Sequence, residues 1–312
     1  MPKMLSNGFI VSSLLLALSA VNVYAAPLEA ETVQVEKRQT ISSLSATQIS
    51  AYKPYTYFAS AAYCTPAATK AWNCGANCAA NSDFVTTASG GDGSSVQYWY
   101  VGYSSKLASV IVGHQGTDPS EIEAWTTDAN AILGGLDSSL FPGVSSAVEV
   151  HEGFRDEQAK TASAILAAVQ STISAKGAKK VAIVGHSLGA AIALLDAVYL
   201  PLHISGVTWK FVGYGMPRVG NQDFANYVDS KLGTSVVTHI NNKEDFVPIL
   251  PGRFLGYHHS SGEVHIQDSG AWTSCPGQDN TSSSCTVGDV SNVFEGSESD
   301  HDGPYDGIVM GC

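Results

Sequence analysis

Gly185-His186-Ser187-Leu188-Gly189 is a G-x-S-x-G sequence, set between the apolar run Val181-Ala182-Ile183-Val184 and an alanine-rich stretch from Ala190. Strand, turn and helix in that order make a nucleophile elbow, which lifts the serine hydroxyl clear of a sheet edge. The flanking glycines remove side chains that so tight a turn would crowd. A serine needs a general base to take its proton, and the base needs an acid to orient it. In hydrolases with this elbow the acid follows the serine and the histidine follows the acid. Asp245 ends a strand-like segment and abuts Phe246-Val247-Pro248, which predicts a half-buried carboxylate; Glu244 beside it reads as a solvated loop charge. Four histidines follow: His258, His259, His265 and His301. His265 alternates with Val264 and Ile266 and reads as a packed strand residue. His258-His259 could bind a metal, but no carboxylate pair stands at ligand spacing, so no metal site is expected. His301 lies in Asp300-His301-Asp302-Gly303-Pro304, a polar loop suited to a mobile proton carrier. Order alone leaves it one candidate among these. The backbone N–H of Leu188, next after the serine, is expected to meet the oxyanion. Chemistry of this kind needs no cofactor.

The elements that must hold these residues alternate. Segments 96–101 and 107–112 are β-rich and separated by Gly102-Tyr103-Ser104-Ser105, an expected antiparallel pair. Apolar residues recur at helical spacing over 156–174, the run 190–200 is helical and stops at Pro201, and 223–232 is helical between strands at 209–214 and 235–240. The segment 41–62 reads as one helix. Strands alternating with helices predict an α/β fold whose central sheet is mostly parallel, with helices on both faces.

The chain has 312 residues, 44% hydrophobic and 14% charged, with a formal charge of −12. That balance excludes nucleic acid and anionic membrane surfaces as partners, since both need a basic face. Lys3 followed by an apolar run ending at Val23-Tyr24-Ala25 reads as a secretory signal over 1–25, too short for a transmembrane anchor. Lys37-Arg38 closes a polar stretch and predicts a pro-peptide over 26–38. Residues 39–312 carry no linker or repeat and read as a single domain. All six cysteines lie there, which argues for three disulfides in an oxidising compartment. Closeness in sequence suggests Cys74–Cys78 and Cys275–Cys285, leaving Cys64–Cys312. Asn280-Thr281-Ser282 is a glycosylation sequon at Asn280. A secreted, extracellular monomer is expected.

Taken with Gly116-Thr117, Val150-His151-Glu152-Gly153-Phe154, Gly215-Met216-Pro217-Arg218-Val219-Gly220-Asn221 and Asp245-Phe246-Val247-Pro248, the elbow resembles the secreted fungal class 3 lipases of the α/β-hydrolase fold. The likeness runs from about residue 98 to 312. It implies a serine carboxylester hydrolase acting through an acyl-enzyme on acylglycerol and other fatty-acid esters, at an oil–water interface. It implies Asp245 as the acid, because the family's acid precedes a Val-Pro pair. It implies His301 as the base, near the C-terminus and ahead of Tyr305, one residue further than the family's His-x-x-Tyr. Thr117 becomes the second oxyanion donor, with Gln115 where the family carries Arg. The family also ties its first mature cysteine to its last, in keeping with Cys64–Cys312. Residues 118–127 occupy the place of the family's lid, where Ile122 and Trp125 would share a helix face. So few apolar residues predict a weak cover, hence hydrolysis of tributyrin below its solubility limit with only a modest rise above it. A near-zero rate below the limit and a steep rise beyond it would contradict this. Feruloyl-type esterases share the fold and the elbow and form the nearer alternative. A catalytically silent secreted binding protein is the farther one.

Overall fold

Alternate residues of the strand before the elbow enter two different cores. Val181 and Ile183 pack with Ile165, Val169, Leu194 and Leu195, whereas Ala182 and Val184 pack with Phe58, Ala59 and Tyr100. A strand apolar at every position is therefore covered on both faces, as its sequence predicts. The computed structural model describes residues 40–117 and 131–312. The predicted signal, the pro-peptide and the 118–127 segment with Ile122 and Trp125 lie outside the described residues.

In chain order the strands are β1 (Ser42–Ser43), β2 (Phe84–Gly90), β3 (Trp99–Ser104), β4 (Ser109–His114), β5 (Leu133–Gly135), β6 (Glu149–His151), β7 (Lys180–His186), β8 (Thr208–Tyr214), β9 (Gly220–Asn221), β10 (Val237–Asn242), β11 (Tyr257–His258), β12 (Glu263–Ile266) and β13 (Trp272–Cys275). The helices are α1 (Ala46–Ser50), α2 (Lys53–Ala61), α3 (Pro66–Ala71), α4 (Gly75–Ala80), α5 (Glu152–Lys176), α6 (Leu188–His203), α7 (Gln222–Lys231) and α8 (Thr286–Asp289). Nine strands form the main sheet in the order β1-β13-β12-β10-β8-β7-β4-β3-β2. Its centre, β12-β10-β8-β7-β4, is parallel, and the pairs at either edge are antiparallel. The α/β expectation holds, with the antiparallel share confined to the flanks. A small antiparallel sheet, β11-β9-β6-β5, stands apart.

Three expectations need correction. The segment 41–62 is not one helix. Ser42–Ser43 pairs with β13, Ser45 opens α1 through a capping box with Gln48, and Pro54 starts α2, where its missing N–H costs nothing. Gly102 and Tyr103 lie inside β3, and the turn falls later, at Ser105–Ala108. A glycine belongs there because a Cβ would lie 2.4 Å from both the Phe84 ring and the Val85 carbonyl. Pro201 does not stop α6, which continues to His203. So close to the helix end, proline forfeits a single backbone bond, and Ile204 N–H still closes on the Leu200 carbonyl at 2.9 Å.

All three expected disulfides are present: Cys64–Cys312, Cys74–Cys78 and Cys275–Cys285. Among the described residues no helix is long and apolar enough to cross a membrane.

Candidate active site

The parallel strands β4, β7, β8 and β10 deliver their next residues to one edge, where open α/β sheets place their ligands. β7 runs directly into Ser187, whose φ of 56° and ψ of −131° lie where a residue with a side chain is strained by about 1–3 kcal/mol. The surroundings hold it there. Ser187 N–H donates to the Tyr214 carbonyl at 2.9 Å, and the Ser187 carbonyl accepts the first α6 bond from Ala190 N–H, also at 2.9 Å. A Cβ on Gly185 would sit 2.2 Å from the Gly189 carbonyl oxygen, and one on Gly189 would sit 2.4 Å from that of His114. Both flanking positions are closed to any side chain, as the elbow motif predicts. Leu188 opens α6 with its N–H among those that lack an intrahelical acceptor.

Asp245 follows β10. Its Oδ1 accepts from Val247 N–H at 2.9 Å, and its Oδ2 accepts from His301 Nδ1 at 2.8 Å. Because the carboxylate can only accept, His301 carries its proton on Nδ1 and presents a bare Nε2. Both residues are fully buried, so the expected half-buried acid is corrected, and the histidine sits inside the protein although its loop is polar. The loop is pinned by neighbours remote in sequence. Asn242 Nδ2 donates to the Asp300 carbonyl at 2.9 Å, and Ser297 N–H donates to that of Glu244 at 2.7 Å. The His301 carbonyl itself receives two bonds, from Tyr305 Oη and from His186 Nε2, each at 2.9 Å. The longer spacing to Tyr305 therefore still leads back to the histidine. The His301 ring lies against Gly215, next after the residue that anchors Ser187.

His186 was not singled out by sequence. Its Nε2–H serves the His301 carbonyl, so its Nδ1 accepts from Tyr63 Oη at 2.6 Å. Complete burial holds its pKa well below the ordinary histidine value, helped by the adjacent His301 ring 4.5 Å away. It is a neutral strut. Burial also pushes the Tyr305 phenol far up, reinforced by the charges of Asp245 and Asp302. Asp302 is raised by burial and Asp245, against the opposing pull of His301.

Thr117 is buried just past β4. Its predecessor Gly116 packs on the elbow, where a Cβ would lie 3.1 Å from that of Ser187. Gln115, which stands where the resembling lipases carry arginine, accepts from Tyr98 N–H through Oε1 at 2.7 Å. Among the described residues three buried polar atoms here have no partner: Ser187 Oγ, His301 Nε2 and Thr117 Oγ1. A site with unmet hydrogen-bonding capacity in such a setting is arranged for a reacting group.

The other three histidines that follow Asp245, and His239 before it, are structural. His239 and His259 are stacked and buried, bonded to the carbonyls of Ser260 and Pro248, and burial takes His259 down to about 3. His258 faces Asp279, and His265 bonds the carbonyls of Ser284 and Lys243. Sequence also passed over a buried network in which Asp196 accepts from His114 Nε2 and Gln158 Nε2, both at 2.8 Å. The available signal was a carboxylate inside an otherwise apolar helix.

The class 3 lipase family model matches residues 111–255. The secreted mono- and diacylglycerol lipase LIP1 of Malassezia globosa is 32% identical over 215 residues, covering 67% of this chain and 69% of the relative. The chain belongs to the class 3 lipases. MDL2, a secreted mono- and diacylglycerol lipase of the same organism, is 33% identical over 205 residues. This family member covers 66% of the length of MDL2, about two thirds. Its fold matches the Rhizomucor miehei lipase in its propeptide complex with a TM-score of 0.75 and 28% identity, over 87% of this chain and 84% of that one. The Lip2 lipase of Yarrowia lipolytica matches with a TM-score of 0.73 and 25% identity, over 88% and 98% of the two chains. The α/β-hydrolase assignment rests on these matches and on the sheet.

Proposed function

We propose that this class 3 lipase is a secreted serine carboxylester hydrolase that cleaves acylglycerols, with Ser187 as nucleophile, His301 as general base and Asp245 as the acid that orients it. One observation carries the reading. A strained serine at the end of a central strand shares a buried edge with a histidine whose Nδ1 is held by Asp245 and whose basic Nε2 has no partner among the described residues.

In this mechanism His301 Nε2 takes the proton of Ser187 Oγ as the oxygen attacks the ester carbonyl. The tetrahedral oxyanion is met by the N–H of Leu188 and by the N–H and hydroxyl of Thr117. Asp245 stabilises the imidazolium and does not itself take the proton. The imidazolium protonates the leaving alcohol, and water then attacks the acyl-enzyme with His301 again as base. Every proton transfer runs through side chains of this chain.

Acylglycerol as substrate is supported by the names of the Malassezia relatives, and secretion by those names together with the 1–25 segment and the three disulfides. Removal of 26–38, glycosylation at Asn280 and action as a monomer belong to the same proposal. Incubation with monoolein, diolein, triolein and methyl ferulate tests the substrate class. Fatty-acid release is expected to exceed ferulate release; the reverse would favour the feruloyl alternative. Thr117→Val removes the hydroxyl donor but keeps the N–H, and is expected to lower kcat by about 10²-fold with KM little changed. Steady-state kinetics on a dissolved ester checks this.

A further inference from the structure

The two proposed oxyanion donors come from different layers: Thr117 from the exit of β4 in the sheet, and Leu188 from the first turn of α6 packed on it. Within the sheet the exit is fixed by backbone pairing. His114 stands in register with Trp99 on one side and Gly185 on the other, and Gln115 N–H donates to the Tyr98 carbonyl at 2.9 Å. Those bonds set position along the sheet but not height above it. We propose that the buried His114–Asp196 pair sets that height, acting as a positioning device that holds Thr117 and Leu188 at the separation an oxyanion requires. This inference rests on the acyl-transfer reading given above.

The geometry is specific. His114 is the last residue of β4, and its Nε2–H reaches Asp196 Oδ2 on α6 at 2.8 Å. Gln158 on α5 donates to the other oxygen at 2.8 Å, so neither carboxylate oxygen can swing away. The carbonyl of the same His114 lies against Gly189, in the turn that carries Leu188. One residue thus touches α6 twice, by its backbone at the first turn and by its side chain further along.

The pair is a costly way to gain stability. Asp196 is fully buried among Leu194, Leu195, Ala197 and Val198 of the apolar core. Taking a carboxylate out of water is costly, and apolar residues of similar volume commonly replace a buried polar pair with no loss of stability. What they cannot replace is a directional bond of fixed length between sheet and helix.

The experiment compares wild type, the double variant His114→Phe/Asp196→Leu and the single variant Asp196→Asn, in the full chain. The double variant leaves the buried Gln158 amide without its acceptor and is expected to melt a few degrees below wild type. Its kcat on a dissolved ester, assayed well below that melt, is expected to be at least about tenfold lower, part of the loss from removing an oxyanion donor. KM and the acid limb of the kcat/KM pH profile, which reports His301, are expected to stay unmoved. Asp196→Asn keeps an acceptor for His114, and Gln158 can turn its amide, so kcat is expected to remain within about threefold. A double variant with wild-type kcat overturns the assignment. So does a loss of kcat that follows the melting temperature, a displaced acid limb, or an Asp196→Asn variant as slow as the double one. Phosphonate titration of the wild type separates the two claims, because failure to label Ser187 sinks the acyl-transfer reading itself.

Discussion

Asp245→Asn is expected to lower kcat by about 10⁴-fold while the protein stays folded. The reason lies in which atoms face the carboxylate. Val247 N–H is a fixed donor to Oδ1, so the asparagine must turn its carbonyl oxygen there. Its NH₂ then faces His301 Nδ1, which now has to accept. The imidazole proton moves to Nε2, the atom that should receive the proton of Ser187. The base is present in the wrong tautomer. Size and burial are conserved, so the melting temperature should shift by only a few degrees. Turnover of a soluble nitrophenyl ester, with a thermal melt alongside, checks both halves, and a kcat within tenfold of wild type would contradict the assignment of Asp245.

The second large effect is on stability. Cys64 and Cys312 are 248 residues apart in sequence, and their bond closes almost the whole domain into one loop. Removing it with Cys312→Ser frees the unfolded chain, and a native bridge of this kind is typically worth about 2–4 kcal/mol. A domain of this size should then melt about 5–10 °C lower. Activity of the folded variant at room temperature should be close to normal. The C-terminal segment keeps other holds: the Gly311 carbonyl accepts from Ser60 Oγ and Asn77 Nδ2, both at 2.8 Å, and Met310 N–H donates to the Asp302 carbonyl at 2.8 Å. These keep the loop around His301 in place without the sulfur bridge. An unchanged melting temperature would contradict this account.

The elbow was legible because its cause is local. An apolar strand, two glycines and a run of small residues lie next to one another in the chain, and backbone crowding allows few alternatives. The two short-range disulfides were legible for the same reason. Asp245 and His301 were less so. The polar residues beside His301 set it only partly apart from His258 and His259, since its setting is made by Asp245, His186, Gly215 and Asn242, all brought in by the fold. Position in the chain and family resemblance supplied what spacing did not. The polar letters around His301 suggested a mobile loop, yet bonds from distant elements bury it completely. The break in 41–62 was local but ambiguous, because a capping serine and Pro54 competed with a helical pattern that runs across both.

The most direct test of the central claim is covalent. Incubating the protein with a nitrophenyl alkylphosphonate, then measuring intact mass and mapping the modified peptide, asks whether one serine is activated by a base. With Ser187 as nucleophile, one adduct per chain is expected on the peptide carrying Ser187, with ester hydrolysis lost in proportion to labelling, and a Ser187→Ala variant that is folded, unlabelled and inactive. A modified residue other than Ser187, or a Ser187→Ala variant that still turns over the ester, would contradict it.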